Sequence, residues 1–351
     1  MLFEDKIKEA KLLFSDFKGE FECFKSALKA YRTRAEFSFW HDEKGVHYAM
    51  FKGKEKFIIT NFEIATKSIQ KAMSALLKEL NLNQNLTHKL FGVEFMATKD
   101  DLSITLLYHQ SVNTLKKELE SLQSKINAKL IARSKGEKLS FRGENLRQRL
   151  QIGQKEFLYE LNNDCFVQPN TQINEKMIEW VLSKIKVQQR ADLLELYCGY
   201  GNFTLPLASS FRKVLASEIS KTNIKFALIN AKLNQNTNTS FIRLSSEELI
   251  QAFLGSREFF RLRNIDLKAF DFSHIFIDPP RAGLDEKVRE FISSFNHIIY
   301  ISCNPQSLKC DLNELLKTHT ITDFALFDQF ATTPHLECGV ILRKKKSIKL
   351  S

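Results

Sequence analysis

One cysteine and one glutamate near the end of this 351-residue chain have the types and setting for chemistry. Ser302-Cys303-Asn304-Pro305 closes an apolar run, His297-Ile-Ile-Tyr-Ile-Ser302, which reads as a buried strand. Glu337, in His335-Leu-Glu337-Cys-Gly-Val340, lies just before a last apolar run, Val340-Ile-Leu342. A thiolate can add to an electron-poor carbon, and a nearby carboxylate can later take a proton so that the thiolate leaves. Such a pair needs no metal. Taken alone, a cysteine at a strand end is more often a small buried hydrophobe, and a single glutamate is more often solvated.

Three further motifs lie upstream. Glu195-Leu-Tyr-Cys-Gly199-Tyr-Gly201-Asn202-Phe203 follows an apolar run and opens a helix. Its two glycines permit a tight turn and close approach of a ligand to the backbone. The dinucleotide fingerprint G-x-G-x-x-G is incomplete, with Thr204 at its third position, which points to an adenosine ligand other than NAD. Glu218 ends the next run, where a carboxylate can accept hydrogen bonds from ribose hydroxyls; a surface glutamate is the bland alternative. Asp278-Pro-Pro-Arg281 ends a third run, with two prolines holding a rigid extended turn.

The elements that must carry these motifs form an α/β pattern. Helices at about 172–186 and 221–234 alternate with short apolar runs at 193–197, 213–218, 273–278 and 297–302. This predicts a mostly parallel sheet that binds ligands beyond the carboxyl ends of its strands, where every motif falls. The first half reads differently. Helices are predicted at 1–18, 64–80 and 112–126, β structure at 31–61 and a strand at 102–108. Residues 129–150 are basic, with Lys129, Arg133, Lys135, Lys138, Arg142, Arg147 and Arg149. Two domains are expected, 1–160 and 161–351, with an α+β region preceding the α/β domain.

A formal charge of +11 and a pI of about 9.2 suit a polyanionic partner, although a lysine-rich soluble protein would carry the same balance. The six cysteines include no C-x-x-C pair, so neither a zinc ribbon nor an iron–sulfur cluster is expected. No apolar stretch has the length of a membrane span and no secretory leader is visible, so a soluble cytoplasmic protein is expected.

The glycine loop and Glu218 resemble motifs I and II of class I S-adenosylmethionine methyltransferases. Taken with Asp278-Pro-Pro-Arg-Ala-Gly-Leu284, Ser302-Cys-Asn-Pro305 and His335-Leu-Glu-Cys-Gly339, they resemble the signature set of the RNA uracil-5-methyltransferase family. The resemblance implies a Rossmann-like catalytic domain after an N-terminal α+β RNA-binding region. It implies S-adenosylmethionine as cofactor and no metal. Cys303 matches the nucleophile that adds to C6 of uracil, making C5 reactive toward the methyl group, and Glu337 matches the proton acceptor. Gln168 (in Phe166-Val-Gln-Pro-Asn170), Tyr197, Asn202, Glu218 and Asp278 match cofactor-contacting positions. Asp278-Pro-Pro-Arg281 lacks the cysteine of cytosine-5 relatives, which favours uracil. A basic chain with a cationic cofactor is expected to favour the Cys303 thiolate.

The first half resembles the tRNA-specific branch, in Tyr31-Arg-Thr-Arg34-Ala-Glu-Phe-Ser-Phe-Trp-His-Asp42, His88-Lys-Leu-Phe91 and Leu106-Leu-Tyr-His109, as does Phe327-Asp-Gln-Phe330 later on. That implies methylation of U54 in the T-loop of tRNA to 5-methyluridine, with the T-like arm of tmRNA as a second substrate, by a monomer. The same chemistry on ribosomal RNA is one alternative. Non-catalytic RNA binding is another, which would require neither Cys303 nor Glu337. Phe91 is either a stacking surface for a base or a core side chain. Arg32 and Arg34 either meet phosphate or form a solvated strand face.

Overall fold

The structure, a computed structural model, describes residues 1–185 and 191–346. The chain divides into two compact units. The first takes Met1–Ser26, Leu150–Tyr159 and the chain from Gln172 onward; the second takes Ala27–Arg149 and Glu160–Thr171. The expected boundary near 160 is therefore crossed more than once. The reason is visible at the N-terminus. The helix Phe3–Leu13 buries Phe3 and Ala10 in the core of the first unit, with Phe14 just beyond it. Its place follows from that apolar face and not from its place in the sequence.

The first unit is built on an eight-stranded sheet. In order across the sheet the strands are Phe21–Phe24, His319–Phe327, Glu337–Lys344, His297–Ser302, Phe272–Ile277, Asp192–Leu196, Val214–Ser217 and Thr239–Ile242. All pairings are parallel except those of Glu337–Lys344, which runs against both neighbours. Every residue of Asp192–Leu196 is buried, as the near-continuous apolar run of a strand covered on both faces requires. From this central strand the chain winds first to Val214–Ser217 on one side and later to Phe272–Ile277 on the other. That reversal creates a crevice at the carboxyl ends of the strands. The architecture is α/β and Rossmann-like. The helices Thr171–Lys184 and Lys221–Leu233 match the predicted ones; residue 186, the predicted end of the former, lies outside the described residues.

The second unit holds a seven-stranded sheet in the order Glu55–Ile58, Gly45–Lys52, Arg34–Asp42, Leu90–Ala97, Leu102–Tyr108, Lys129–Ser134, Glu137–Phe141. Its one parallel pair, Leu102–Tyr108 with Lys129–Ser134, is joined by a crossover that contains the helix Lys116–Lys125. The helix Lys67–Asn81 presents Ile69, Met73, Leu76 and Leu80 to the same core, at the spacing of one helix face. Residues 146–152 alternate strictly between buried and exposed, so Arg147 and Arg149 point outward from a strand. Among the described residues no helix is long and apolar enough to cross a membrane.

Candidate active site

Four strand ends of the first sheet carry the motifs. The glycine loop leaves Asp192–Leu196 through Tyr197, whose φ of +62° lies in the left-handed region that a bulky residue rarely adopts. Gly199 follows at φ +57° and Gly201 at φ +91°. A Cβ at Gly199 would point into open space, so the loop leaves its backbone accessible there. Tyr197 donates its hydroxyl to Ser246 Oγ at 3.1 Å. Glu218 accepts the Gly199 amide at 3.1 Å and the Ser220 amide at 2.7 Å, which ties the glycine loop to the next strand end. A carboxylate offers about four lone-pair sites, so Glu218 keeps capacity for ribose hydroxyls.

Asn202 lies within the glycine loop. Its side chain is buried and makes a reciprocal amide pair with Asn174, at 2.9 and 2.8 Å, and Tyr200 donates to it at 3.3 Å. These contacts make it an internal brace of the glycine loop. Gln168 is buried and belongs to the second unit, as do Arg32, Arg34 and Phe91.

The loop at Asp278-Pro-Pro-Arg281 is held from below by Asp311, which is buried on the helix Pro305–Leu315. Asp311 accepts from the Tyr300 hydroxyl at 2.6 Å, the Leu284 amide at 3.1 Å and the Arg289 guanidinium at 3.0 Å. A Cβ on Gly283 would lie 2.8 Å from this carboxylate, so the turn closes tightly over it. Asn304 caps the same helix by accepting the Gln306 amide, with Pro305 in its first turn, and donates to the Arg281 carbonyl at 3.0 Å. The Cys303 loop and the Asp278 loop are thereby fastened to each other.

Cys303 follows directly on the strand His297–Ser302, and Glu337 begins its antiparallel neighbour. Ser302 pairs with Cys338 in the antiparallel ladder, and one further step in that register sets Cys303 opposite Glu337. Directly opposed residues on one sheet face have Cβ atoms roughly 4.5–5.5 Å apart. Glu337 is 1% exposed and its Oε1 has no hydrogen-bond partner. Glu195, equally buried, has an unpartnered Oε2. Burial, aided by the Asp278 charge, holds Glu337 well above the usual carboxylate range. Burial lifts Asp278 to about 7 and Glu195 to about 8. Cys303 is pushed up to about 12, first by burial, then by Glu337 and Asp278, against a downward pull from Arg281. The expected bias toward thiolate is thus reversed in the protein alone, because burial disfavours the charged form and the acids beside it outweigh Arg281, whatever the net charge of the chain.

In the second unit, Phe91 is 40% exposed and stacks on His109 with centroids 4.1 Å apart. It is no core side chain. Arg32 and Arg34 do not share a strand, which begins at Arg34. Arg32 is half-buried and donates to the Arg34 carbonyl at 2.7 Å, while Arg34 pairs with Glu36 at 3.1 Å and Glu94 at 3.8 Å. In the basic stretch, Lys129, Arg133, Lys138 and Arg149 all have carboxylate partners. Glu144 within the stretch answers Lys138, and Asp100, Asp101 and Asp164 from outside it answer the other three, which the run of letters did not show.

Among the described residues no group of three His, Cys, Asp or Glu side chains is disposed to hold a metal ion. All six cysteines are free thiols.

The family described as tRNA (Uracil-5-)-methyltransferase matches this chain over residues 1–345. The chain belongs to that family. It is 59% identical over 347 residues to the tRNA/tmRNA (uracil-C(5))-methyltransferase of Campylobacter lari, covering 98% of this chain and 100% of that one. It is 54% identical to the protein of the same name from Campylobacter jejuni, covering 98% and 97%. Its fold is similar to that of the Pyrococcus abyssi tRNA (uracil-54, C5)-methyltransferase in complex with S-adenosyl-L-homocysteine, with a TM-score of 0.74, 19% identity and coverage of 97% and 82%. The chain is thus a uracil-C5 methyltransferase, as its motifs led one to expect. The residues that sequence reasoning missed are the supports: Asp311 beneath the Asp278 loop, Asn174 behind Asn202, and Lys6 and Asp328 behind Glu337. Of these only Asp328 lies in a motif, Phe327-Asp-Gln-Phe330, and nothing in it points to Lys6; the partners of the others are backbone groups and distant side chains.

Proposed function

We propose that this protein methylates C5 of uracil 54 in the T-loop of tRNA, and the T-like arm of tmRNA, as a cytoplasmic monomer using S-adenosylmethionine. The observation that carries the reading is the nearness of Cys303, just past the end of one strand, to Glu337, which begins the antiparallel neighbour, acts on the thiol by its charge and keeps a buried oxygen without a partner. The names borne by the Campylobacter relatives support the tRNA and tmRNA substrates.

The accessible Gly199 backbone and the Glu218 carboxylate fit an adenosine, with Glu218 holding ribose hydroxyls and Tyr197 and Asp278 in the remaining contacts. When bound, the cofactor supplies an electrophilic methyl group on a cationic sulfur. Cys303 gives up its proton to water, and its sulfur bonds to C6 of uracil, moving the C5=C6 electron pair into an enolate so that C5 can take the methyl. Glu337 then removes the proton from C5, and the electrons return to C5=C6 as the Cys303 sulfur leaves. A proton on Glu337 in the first step silences the charge that most opposes the thiolate; it must be surrendered before the last. Phe91 with His109 offers a stack for an unpaired base of the opened loop. Arg32 and Arg34 would contact phosphate only after giving up their present partners.

The test is to incubate the protein with labelled S-adenosylmethionine and undermodified tRNA or tmRNA and to map the product. 5-Methyluridine at position 54 is expected. Transfer to ribosomal RNA alone, or none, would sink the reading. Cys303→Ala is expected to abolish both turnover and any covalent RNA adduct.

A further inference from the structure

We infer that Lys6, on the N-terminal helix, is a positioning residue for Glu337: it folds the loop that ends on the proton acceptor. The inference rests on the role proposed for Glu337. Lysine is almost never fully buried unless paired, yet the Lys6 side chain is 1% exposed. Its ammonium donates to Asp328 Oδ1 at 2.7 Å, to the Phe330 carbonyl at 2.8 Å and to the His335 carbonyl at 2.9 Å, so all three protons are used. Asp328 is buried as completely.

These acceptors belong to the connection between the last two strands, His319–Phe327 and Glu337–Lys344. One ammonium therefore gathers the start, the middle and the end of the connection, and Glu337 follows His335 by two residues. Pro334 and His335 line a cavity of about 190 Å³ together with Cys303. Glu9, Ala10 and Leu13 of the same helix line it too. The N-terminal helix is thus a wall of the pocket in which the nucleophile sits, and Lys6 is its rivet. A buried ion pair is a weak source of net stability, so an architectural task accounts better for its presence here.

Addition by Cys303 and methyl transfer do not use Glu337, whereas release does. Lys6→Met should therefore lower kcat about 100-fold, the scale of a misplacement near 1 Å, with little change in KM for RNA. Acid-quenched single turnovers should show RNA bound covalently through Cys303 and carrying the labelled methyl. A second variant combines Lys6→Met with Asp328→Leu. It removes the unpaired buried charge and should regain thermal stability, yet still accumulate the adduct, because the Phe330 and His335 carbonyls have still lost the ammonium that joins them. Wild-type turnover in either variant, or activity lost in proportion to folded protein with no adduct, overturns the inference. Failure of the wild-type protein to form an adduct with 5-fluorouracil-substituted tRNA overturns the reading of Cys303 and Glu337 themselves, and the role of Lys6 with it.

Discussion

The two ends of the eight-stranded sheet are both buried and rich in titratable groups, yet they are finished differently. The carboxyl end gathers Glu195, Asp278, Cys303 and Glu337, all pushed up by burial and, save Asp278, by one another's charge as well. The amino end gathers His274, His297 and His319, all pushed down by burial and nearby positive groups including Arg343 and Lys344. Desolvation drives acids up and bases down, so both ends favour neutral forms. Their hydrogen bonds separate them. His274 is bonded to Ser273 Oγ at 2.7 Å, and His319 to the Phe295 carbonyl at 2.9 Å and to Thr318 Oγ1 at 2.8 Å. Glu195 and Glu337 each keep a buried oxygen with no partner. Buried polar atoms are nearly always bonded, and an orphan is costly. Among the described residues the orphaned carboxylate oxygens of this sheet lie at the end where ligands approach, whereas the orphan at the amino end, Thr239 Oγ1, is a neutral hydroxyl, so an unsatisfied acid marks the site better than a shifted titration does.

The largest test removes the charge of Glu337 but keeps its shape. Glu337→Gln should lower kcat by roughly 10²–10⁴, the range of a lost general base. The adduct should accumulate in methylated form, because addition and methyl transfer precede loss of H5. Free turnover by this variant would reduce the orphan oxygen to a structural oddity. A smaller effect is expected at Asp278, which raises the Cys303 thiol by its charge. At pH 9 Asp278, with its proton lost near 7, is ionised. Asp278→Asn removes that charge, so the Cys303 thiol falls from about 12 and its thiolate fraction rises. Alkylation of Cys303 by iodoacetamide, followed by peptide mapping, should then quicken about threefold or more, since the rate tracks thiolate. An unchanged rate would leave burial and the Glu337 charge as the causes.

The catalytic half was legible because its signals are local. Apolar runs of five or six residues ending in Gly, Asp-Pro-Pro or Cys-Asn-Pro announce strands that terminate in loops, and the strand His297–Ser302 falls where the pattern puts it. What escaped was non-local. Thr239–Ile242 is short and only partly buried, so its pattern is faint. Residues 129–150 read as a charge run because three strands with outward cations hide their alternation behind lysine and arginine. The N-terminal helix showed its apolar face, but a face does not say which core it covers, and Lys6 looks like any of its solvated neighbours. Asn202 was placed correctly in the glycine loop, while its partner Asn174 lies 28 positions earlier on a helix with no motif to flag it.

The smallest effect concerns the amino end. His274 and His297 pair across parallel strands and stack with centroids 4.3 Å apart and planes 13° from parallel. His274 is held down to about 3, chiefly by burial, then by His297 and Arg343. Above pH 6.5 the folded and unfolded chains both carry a neutral imidazole, and nothing is lost. Below 6.5 the unfolded chain takes a proton that the folded chain refuses until about pH 3, so stability falls with pH through that window. At pH 5 the loss from His274 alone is about 2 kcal/mol. His274→Phe keeps a ring against His297 and Phe211 but cannot titrate. The difference in unfolding free energy between pH 8 and pH 5, taken within each protein from urea curves, should therefore be about 2 kcal/mol smaller in the variant. Taking the difference within each protein cancels any packing change the phenylalanine brings. An equal pH dependence in the two proteins would mean that the folded chain accepts the proton, and the amino end would then be as open to charge as the site at the opposite end.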